Sequence, residues 1–465
     1  MQAGEGACLV RGANGLTRRE FLRLSAGAAG GTALASSAAG CGVGARDRGT
    51  NGITYWASNQ GASIQQDEEI LGEVIARFEK QTGIRVGLRV ISWEDLYNEL
   101  LTATISGQGP DVVNIGNTWA IALQASDAFQ PFDRRRFGDV GGRGKFIEAA
   151  LNASSTPGQA PTSLPLYGLA YGLFYNRRMF EEEGIEKPPE TWAEFVEVGK
   201  RLTKDTDGDG EIDQRGLALE GASVTENAHW AFILSRQQGG RLFDDDNQPT
   251  FDSPENVGAV KRYVDFLAAD GIAAPNNAEY SDGTQAPADF ANGKAAMIMF
   301  QNGVQLNLEA GGMGRDEYGI AAVPVPGPLP EGGEPIKSHT AGINIAVFDN
   351  TDNRAAANEF VRFMTDERQQ VYLNREFGSL PVNKRAQQHE AFRGGDYAVF
   401  NRVYEENSAP MPLIPQESEM ETIIGDALTG LFAEAATGGG EITEEQVREA
   451  LTAAEKTMPP ISERL

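Results

Sequence analysis

Between Ile53 and Gly116 the chain changes hydrophobic period four times. ITYWAS (53–58) is rich in aromatic and β-branched residues and reads as a strand. DEEILGEVIARFEKQTG (67–83) then sets Ile70, Leu71, Val74, Ile75 and Phe78 on one helical face and stops at Gly83. IRVGLRVI (84–91) is a second strand. Ser92 is placed to cap a helix with Asp95 three residues on and an apolar stripe of Leu96, Leu100 and Leu101. PDVVNIG (110–116) is a third, buried strand. A helix between successive strands is long enough to return the chain to the same end of a sheet, which makes the strands parallel. The expected fold class is therefore α/β.

The alternation is less regular after about residue 134 and then resumes. TWAE (191–194) is a capping box for a helix ending near Lys204. Ser253 and Pro254 open another that closes at Gly271. KAAMIMF (294–300) and YGIAAVPV (318–325) are short apolar strands, and amphipathic helices are expected near 352–374, 419–435 and 443–457. At 465 residues the chain exceeds what one core accommodates, so two or three domains are expected.

Residues 16–41, LTRREFLRLSAGAAGGTALASSAAGC, differ in character from the rest. Arg18, Arg19 and Arg23 precede a short Ala/Gly/Ser stretch that ends in small residues before Cys41. That is the layout of an export signal, and its apolar part is too short and Gly-rich to span a bilayer. TRREFLR resembles the twin-arginine export signature. AAGC resembles a bacterial lipobox with Cys41 as the lipidated residue, although Ala38 stands where that pattern prefers Leu. The expected division is a signal over 1–40, a flexible tether over 41–52 and a body beyond, lipid-anchored on the extracytoplasmic face of the cell membrane. Cys8 leaves with such a signal, and Cys41 alone forms no internal disulfide. Loss of 1–40, with four Arg and two Glu, takes the net charge from −26 to −28. A body this acidic lacks the basic footprint of a nucleic-acid binder.

KDTDGDGEIDQRG (204–216) resembles a calcium loop. Asp205, Asp207 and Asp209 take positions 1, 3 and 5 of that template, and Gly210 takes the sharp turn at 6. Glu211 offers a backbone carbonyl at 7 and Asp213 falls at 9. Position 12, where the template has a bidentate Glu, is Gly216. The expectation is a structural Ca²⁺; the competing reading is an Asp/Gly turn.

Several stretches together resemble the extracellular solute-binding proteins of ABC importers, in particular the large sugar-binding family that includes maltose-binding protein. They are GPDVVNIGNTW, LPLYGLAYGLFYNRRMFEEEGI, PPETWAEFVEVGKRLT, GGRLFDDDNQPTFDSPENVGAVKRYVDFL, GKAAMIMF, YGIAAVPVPGP, SHTAGINIAVF and GSLPVNK, in the family's order across 53–460. The resemblance implies two α/β lobes around a ligand cleft at a hinge. Lobe one would comprise 53–133 and 299–346, and lobe two 134–298 and 347–465. It also implies permease subunits as partners and a carbohydrate as ligand.

A sugar presents hydroxyl edges and apolar CH faces, so its site needs aromatic faces and planar polar side chains. At the ends of the first and third strands stand Trp56, Asn59 and Gln60, then Asn117 and Trp119. Trp56 also suits simple core packing, and Asn117 also suits a helix cap. Glu94 lies in a first helical turn. Tyr171, the adjacent His229 and Trp230 at a helix opening, Asn302, His339 and Gln416 complete the candidates. Two departures from the family stand out. FQNGVQ occupies the place of a Gly-Pro-Trp, and IPQESEMET carries Gln416, Glu417 and Glu421 where many members have Trp. The site is therefore expected to be polar and to suit a mono- or disaccharide or a more polar sugar derivative. The three His are far apart in sequence, and no G-x-S-x-G, H-E-x-x-H or P-loop occurs. A binder rather than an enzyme is expected. A secreted glycan hydrolase, or a surface sugar sensor or adhesin without transport, remain the alternatives.

Overall fold

The computed structural model describes residues 52–438 and 441–459. The expected export signal, Cys41 and the rest of the expected tether up to residue 51 lie outside the described residues.

A five-stranded sheet has the order β2-β1-β3-β9-β4. β1 (Gly52–Ser58), β2 (Arg85–Ile91) and β3 (Val112–Gly116) are parallel, as the alternating periods require. β9 (Ala341–Val347) arrives from distant sequence and runs antiparallel to β3, and β4 (Ser163–Leu169) closes the edge antiparallel to β9. The helices between the parallel strands are α1 (Ile64–Thr82) and α2 (Trp93–Ser106). α1 starts three residues before the pattern suggested, because the Ser63 hydroxyl accepts from the Gln66 amide and caps an extra turn. It ends, as expected, at a left-handed Gly83 with φ 73°. α3 (Ala120–Gln124) is a short helix after β3.

A second sheet, in the order β6-β5-β7, is antiparallel throughout. It comprises β5 (Tyr171–Asn176), β6 (Met297–Gln301) and β7 (Tyr318–Ala321). α4 (Trp192–Arg201) has the Thr191/Glu194 capping box, α5 (Val224–Gln237) is capped by Ser223, and α6 (Pro254–Asp265) has the Ser253 cap with Pro in its first turn. The apolar segment expected near 352–374 is two helices, α7 (Arg354–Met364) and α8 (Glu367–Glu376). They part at Thr365, whose hydroxyl bonds back to the Val361 carbonyl at 2.6 Å. α9 (Glu417–Gly438) and α10 (Glu444–Thr457) end the described chain.

Each sheet has its own core. In the first, Phe360 on α7 meets Tyr55 of β1 and Phe78 of α1 edge-on, both at 5.1 Å. In the second, α5 and α9 pack with Trp230, Tyr263 and Phe432 in one cluster. The pairing moves the boundaries expected from sequence. Residues 163–169 build the first sheet, and β6 and β7 build the second. α7 and α8 return to the first core, whereas α9 and α10 join the second. The expected boundaries came from the family resemblance, whereas long-range pairing decides which sheet a strand joins.

The chain changes sheet at single residues. Ala170 separates β4 from β5, and Thr340 separates β8 (Ser338–His339) from β9. β8 pairs with β10 (Ser408–Ala409). Where α9 crosses α5, a Cβ on Gly425 would lie 2.1 Å from the Val224 carbonyl oxygen. At Gly430 on the same helix a Cβ would meet nothing within 4 Å. Gly425→Ala is expected to cost about 1–3 kcal/mol in denaturant unfolding through overpacking. Gly430→Ala is expected to leave stability unchanged or raise it by up to about 1 kcal/mol. Equal effects at the two positions would contradict the close helix crossing.

Candidate functional site

Aromatic side chains at the ends of the first sheet's strands form one wall of the site. Trp93 at the start of α2 meets Trp119 at 5.3 Å between ring centroids. Tyr97, one turn further along α2, meets Trp119 at 4.9 Å. All three rings are half-buried. Gly116 lets the indole lie against the end of β3, since a Cβ there would be 3.2 Å from the Trp119 ring. Trp56 is also half-buried, and the Arg89 guanidinium lies over its ring at 5.2 Å.

Asn117 joins this wall to the crossover. Its side-chain amide donates to the Thr340 carbonyl at 2.6 Å, and its backbone N–H donates to the Gly342 carbonyl at 2.9 Å. It does not cap α3, which begins after Trp119 with no side-chain cap. Thr340 carries the chain to His339, whose ring stacks on His229 at 4.0 Å between centroids. His229 Nδ1 is 2.8 Å from the Tyr171 hydroxyl, and its Nε2 is 3.2 Å from Glu421 Oε1. His229 and Trp230 are the sixth and seventh residues of α5 rather than its opening. The cap is Ser223, so the helix begins earlier than the His-Trp pair suggested. Trp230 lies behind the wall in the hydrophobic core, 4.9 Å from the Tyr171 ring.

The first turn of α9 completes the enclosure. Gln416 and Glu417 are 2 % and 1 % exposed, and Glu421 is 7 % exposed. Among the described residues no donor is directed at Gln416 Oε1, and the Glu417 carboxyl has only its neighbours Ser418 and Glu421 beside it. Tyr97 of the facing wall is near enough to feel these acids. Burial chiefly pushes its hydroxyl up to about 12, the nearby Ser418 opposes the shift, and Glu417, Glu419 and Glu421 add to it. The groups thus run in a ring: contacts link Asn117, Thr340, His339, His229 and Glu421, the charge of Glu421 reaches Tyr97, and Tyr97 meets Trp119, two residues from Asn117.

Burial governs the ionisation of this ring. It pushes Glu417 well above the usual carboxyl range, and neighbouring Glu421 adds to the shift. It lifts Glu226 on α5 to about 7 against the opposing charge of His229. Burial, and then His229, hold His339 well below its ordinary value, so it lines the site as a neutral ring.

The remaining candidates lie apart from these contacts. The Gln60 amide bonds Ser58 Oγ at 3.1 Å and the Asn59 carbonyl at 2.6 Å. Asn59 donates from its backbone to Ile91, so both residues shape the turn after β1. Asn302 is fully buried in the crossover, where its side chain accepts from the Ala170 N–H at 2.8 Å and donates to the Gly378 carbonyl at 2.6 Å. The side chain of Glu94 lies outside the described residues. Tyr97 and Glu226 were missed from sequence. Tyr97 is four residues after Trp93 on one helix face, a spacing that signals a shared surface. Glu226 carries no comparable signal. Beyond Phe232 and Arg236 of α5 lies a separate hollow of about 410 Å³, reached also by Pro412 and Ile414.

In the Asp loop, carboxylate oxygens of Asp205, Asp207 and Asp209 lie within 4.8 Å of one another. Asp205 accepts from the Gly208 and Gly210 amides at 2.6 and 2.8 Å, which orients it and lowers its pKa. Asp213 is engaged by Thr206, at 3.0 Å from the backbone N–H and 2.7 Å from the hydroxyl. The Glu211 side chain is exposed. A Cβ at Gly216 would stand 2.2 Å from the Gly199 carbonyl oxygen. Packing against α4 therefore forbids the acid that a calcium loop carries at its last position.

The family model described as bacterial extracellular solute-binding protein matches residues 61–371. A putative binding protein of Brucella abortus is 25% identical over 366 residues, covering 77% of this chain and 84% of the relative. A putative ABC transporter periplasmic-binding protein of Escherichia coli is 27% identical over 334 residues, covering 70% and 72%. Among solved structures, a Thermotoga lettingae ABC transporter solute-binding protein bound with α-D-tagatose superposes with TM-score 0.74 at 21% identity, covering 88% of this chain and 100% of that one. A maltose-bound protein of T. maritima gives TM-score 0.72 at 18% identity, covering 87% and 99%. These likenesses bear out the expected two-sheet α/β binding-protein fold.

Because burial raises Glu226, the folded protein holds this proton more tightly than the unfolded chain does. Its stabilising contribution is whole below the ordinary carboxyl pKa and is lost as pH rises toward about 7. Glu226→Gln removes that titration. The melting temperature of the variant, relative to wild type, is expected to increase between about pH 5 and about pH 8. A flat or falling difference across this window would contradict the raised pKa of this carboxyl.

Proposed function

The chain belongs to the bacterial extracellular solute-binding proteins, and on that premise we propose that it captures a carbohydrate between its two sheets. The family is one of binding proteins rather than enzymes. The observation that carries the reading is the half-buried Trp119–Tyr97 pair within reach of the buried acids Glu417 and Glu421, the second of which pairs with His229. Aromatic faces suit the CH faces of a sugar ring, and carboxylates and imidazole suit its hydroxyls. The tagatose and maltose bound by structural relatives agree with that chemistry.

The two sheets act as lobes, with Ala170 and Thr340 in the hinge. Ligand stabilises the closed arrangement in proportion to its preference for it. The closed form docks on the permease subunits of an ABC importer, in line with the Escherichia coli relative. A lipid on Cys41 and the tether after it keep the body beside those subunits on the extracytoplasmic face. No helix among the described residues is long and apolar enough to cross a membrane.

Asp205, Asp207 and Asp209 would hold the calcium ion as a structural staple, with the Glu211 carbonyl as a further oxygen. Lacking the bidentate acid, the site is of weak, extracellular character. Calcium is expected to raise the wild-type melting temperature and to leave that of Asp207→Ala unchanged; equal responses would refute the assignment.

The capture reading is tested by a thermal-shift screen of mono- and disaccharides. A ligand at 100 times its dissociation constant stabilises by about 2.7 kcal/mol. A sugar that raises the melting temperature is expected to bind Trp119→Ala at least about tenfold more weakly, from lost stacking and burial. Undiminished binding to Trp119→Ala would contradict this site, and no response to any sugar would contradict the function.

A further inference from the structure

Glu417 and Glu421 are four residues apart on α9, which sets both carboxyls on one face of the helix. Both are more than nine-tenths buried. Among the described residues, their one ion-pair partner is His229, and it meets only Glu421. Among the described residues the Glu417 carboxyl has beside it only the Ser418 hydroxyl and the Glu421 carboxyl, and the side-chain oxygen of adjacent Gln416 has no donor. Unpartnered buried acceptors of this kind are costly unless something else supplies the donors.

A metal ion is one possible supplier, but the spacing disfavours it. Among the described residues, only the Asp205–Asp209 loop brings three acidic or imidazole ligand atoms within reach of one ion. A neutral sugar hydroxyl is another supplier. It donates a single hydrogen and brings no charge to offset a second carboxylate. A protonated amine has three donors and one positive charge, which suits the two carboxyls that Glu417 and Glu421 set on one face of the helix.

Resting on the carbohydrate reading above, we propose that the ligand selected by this site is an amino sugar whose protonated amine sits between Glu417 and Glu421, with its ring against Trp119. Burial, and for Glu417 the neighbouring acid, favour the protonated carboxyl while no cation is present. The arriving amine reverses that preference for at least one of them.

The test is calorimetry at neutral pH on the mature chain with sugars paired by a single group. The pairs are glucosamine with glucose, galactosamine with galactose, and the disaccharide of chitosan with cellobiose. The amine member of at least one pair is expected to bind about tenfold or more tightly than its hydroxyl counterpart, the scale of one hydrogen bond to a charged group. N-acetylation of that amine is expected to abolish the advantage. Glu417→Gln and Glu421→Gln should each bring the ratio toward one, whatever affinity they cost the two members of the pair in common. If hydroxyl members bind equally or more tightly, the amine inference falls and carbohydrate capture stands. If none of the six sugars binds while another sugar raises the melting temperature, the amine inference falls and carbohydrate capture stands; if no sugar does either, both fall.

Discussion

Ala170 is the one residue between β4 and β5, and those strands lie in different sheets. A chain that turns from one sheet into another inside a protein leaves backbone groups that neither ladder pairs. Asn302 resolves this by accepting from Ala170 N–H with its side chain, while its own N–H donates to the Ala170 carbonyl at 3.0 Å. At the other crossing, Asn117 donates to the Thr340 carbonyl. The two amides fix where the sheets part. Tyr171 and His339, each next to a crossing residue, are thereby held against the same His229.

This arrangement explains why the site has an aromatic side and an acidic side. The first sheet supplies its wall from strand ends and short helix starts, where Trp93 and Tyr97 each meet Trp119 and all three rings stay half-buried. The second body supplies its wall from α5 and the first turn of α9. A helix N-terminus favours carboxylates electrostatically, which partly offsets the burial of Glu417. His229 links the two helices through Glu421 and the sheet through Tyr171. Removing any of these partners would leave a buried polar group exposed to the same penalty that shapes the site.

The fold was largely legible because its local signals are strong. The caps at Ser92, Thr191 and Ser253 and the stop at Gly83 each appear where the spacing predicted them. The lobe boundaries were not legible, because β9 and β4 join the first sheet through pairing across nearly two hundred residues of sequence, as between Ser163 and Ala346. The candidate site was legible in part. Trp119, Tyr171, His229 and His339 stand in or beside the ring of groups, and Gln416 precedes Glu417 at the start of α9. Asn302 looked similar in sequence, as a polar residue after an apolar strand, yet its amide serves the crossover. Nothing local distinguishes a strand-end Asn that meets ligand from one that meets backbone. The incomplete Asp loop is likewise explained only in three dimensions, by the contact of Gly216 with Gly199.

The central claim is that ligand is held within the ring between the two sheets. A crystal structure with a bound sugar tests it most directly. The ligand is expected to stack on Trp119, to hydrogen-bond Glu417 and to lie beside His229. A sugar found instead in the hollow lined by Phe232, Arg236 and Ile414, with the ring vacant, would contradict the account.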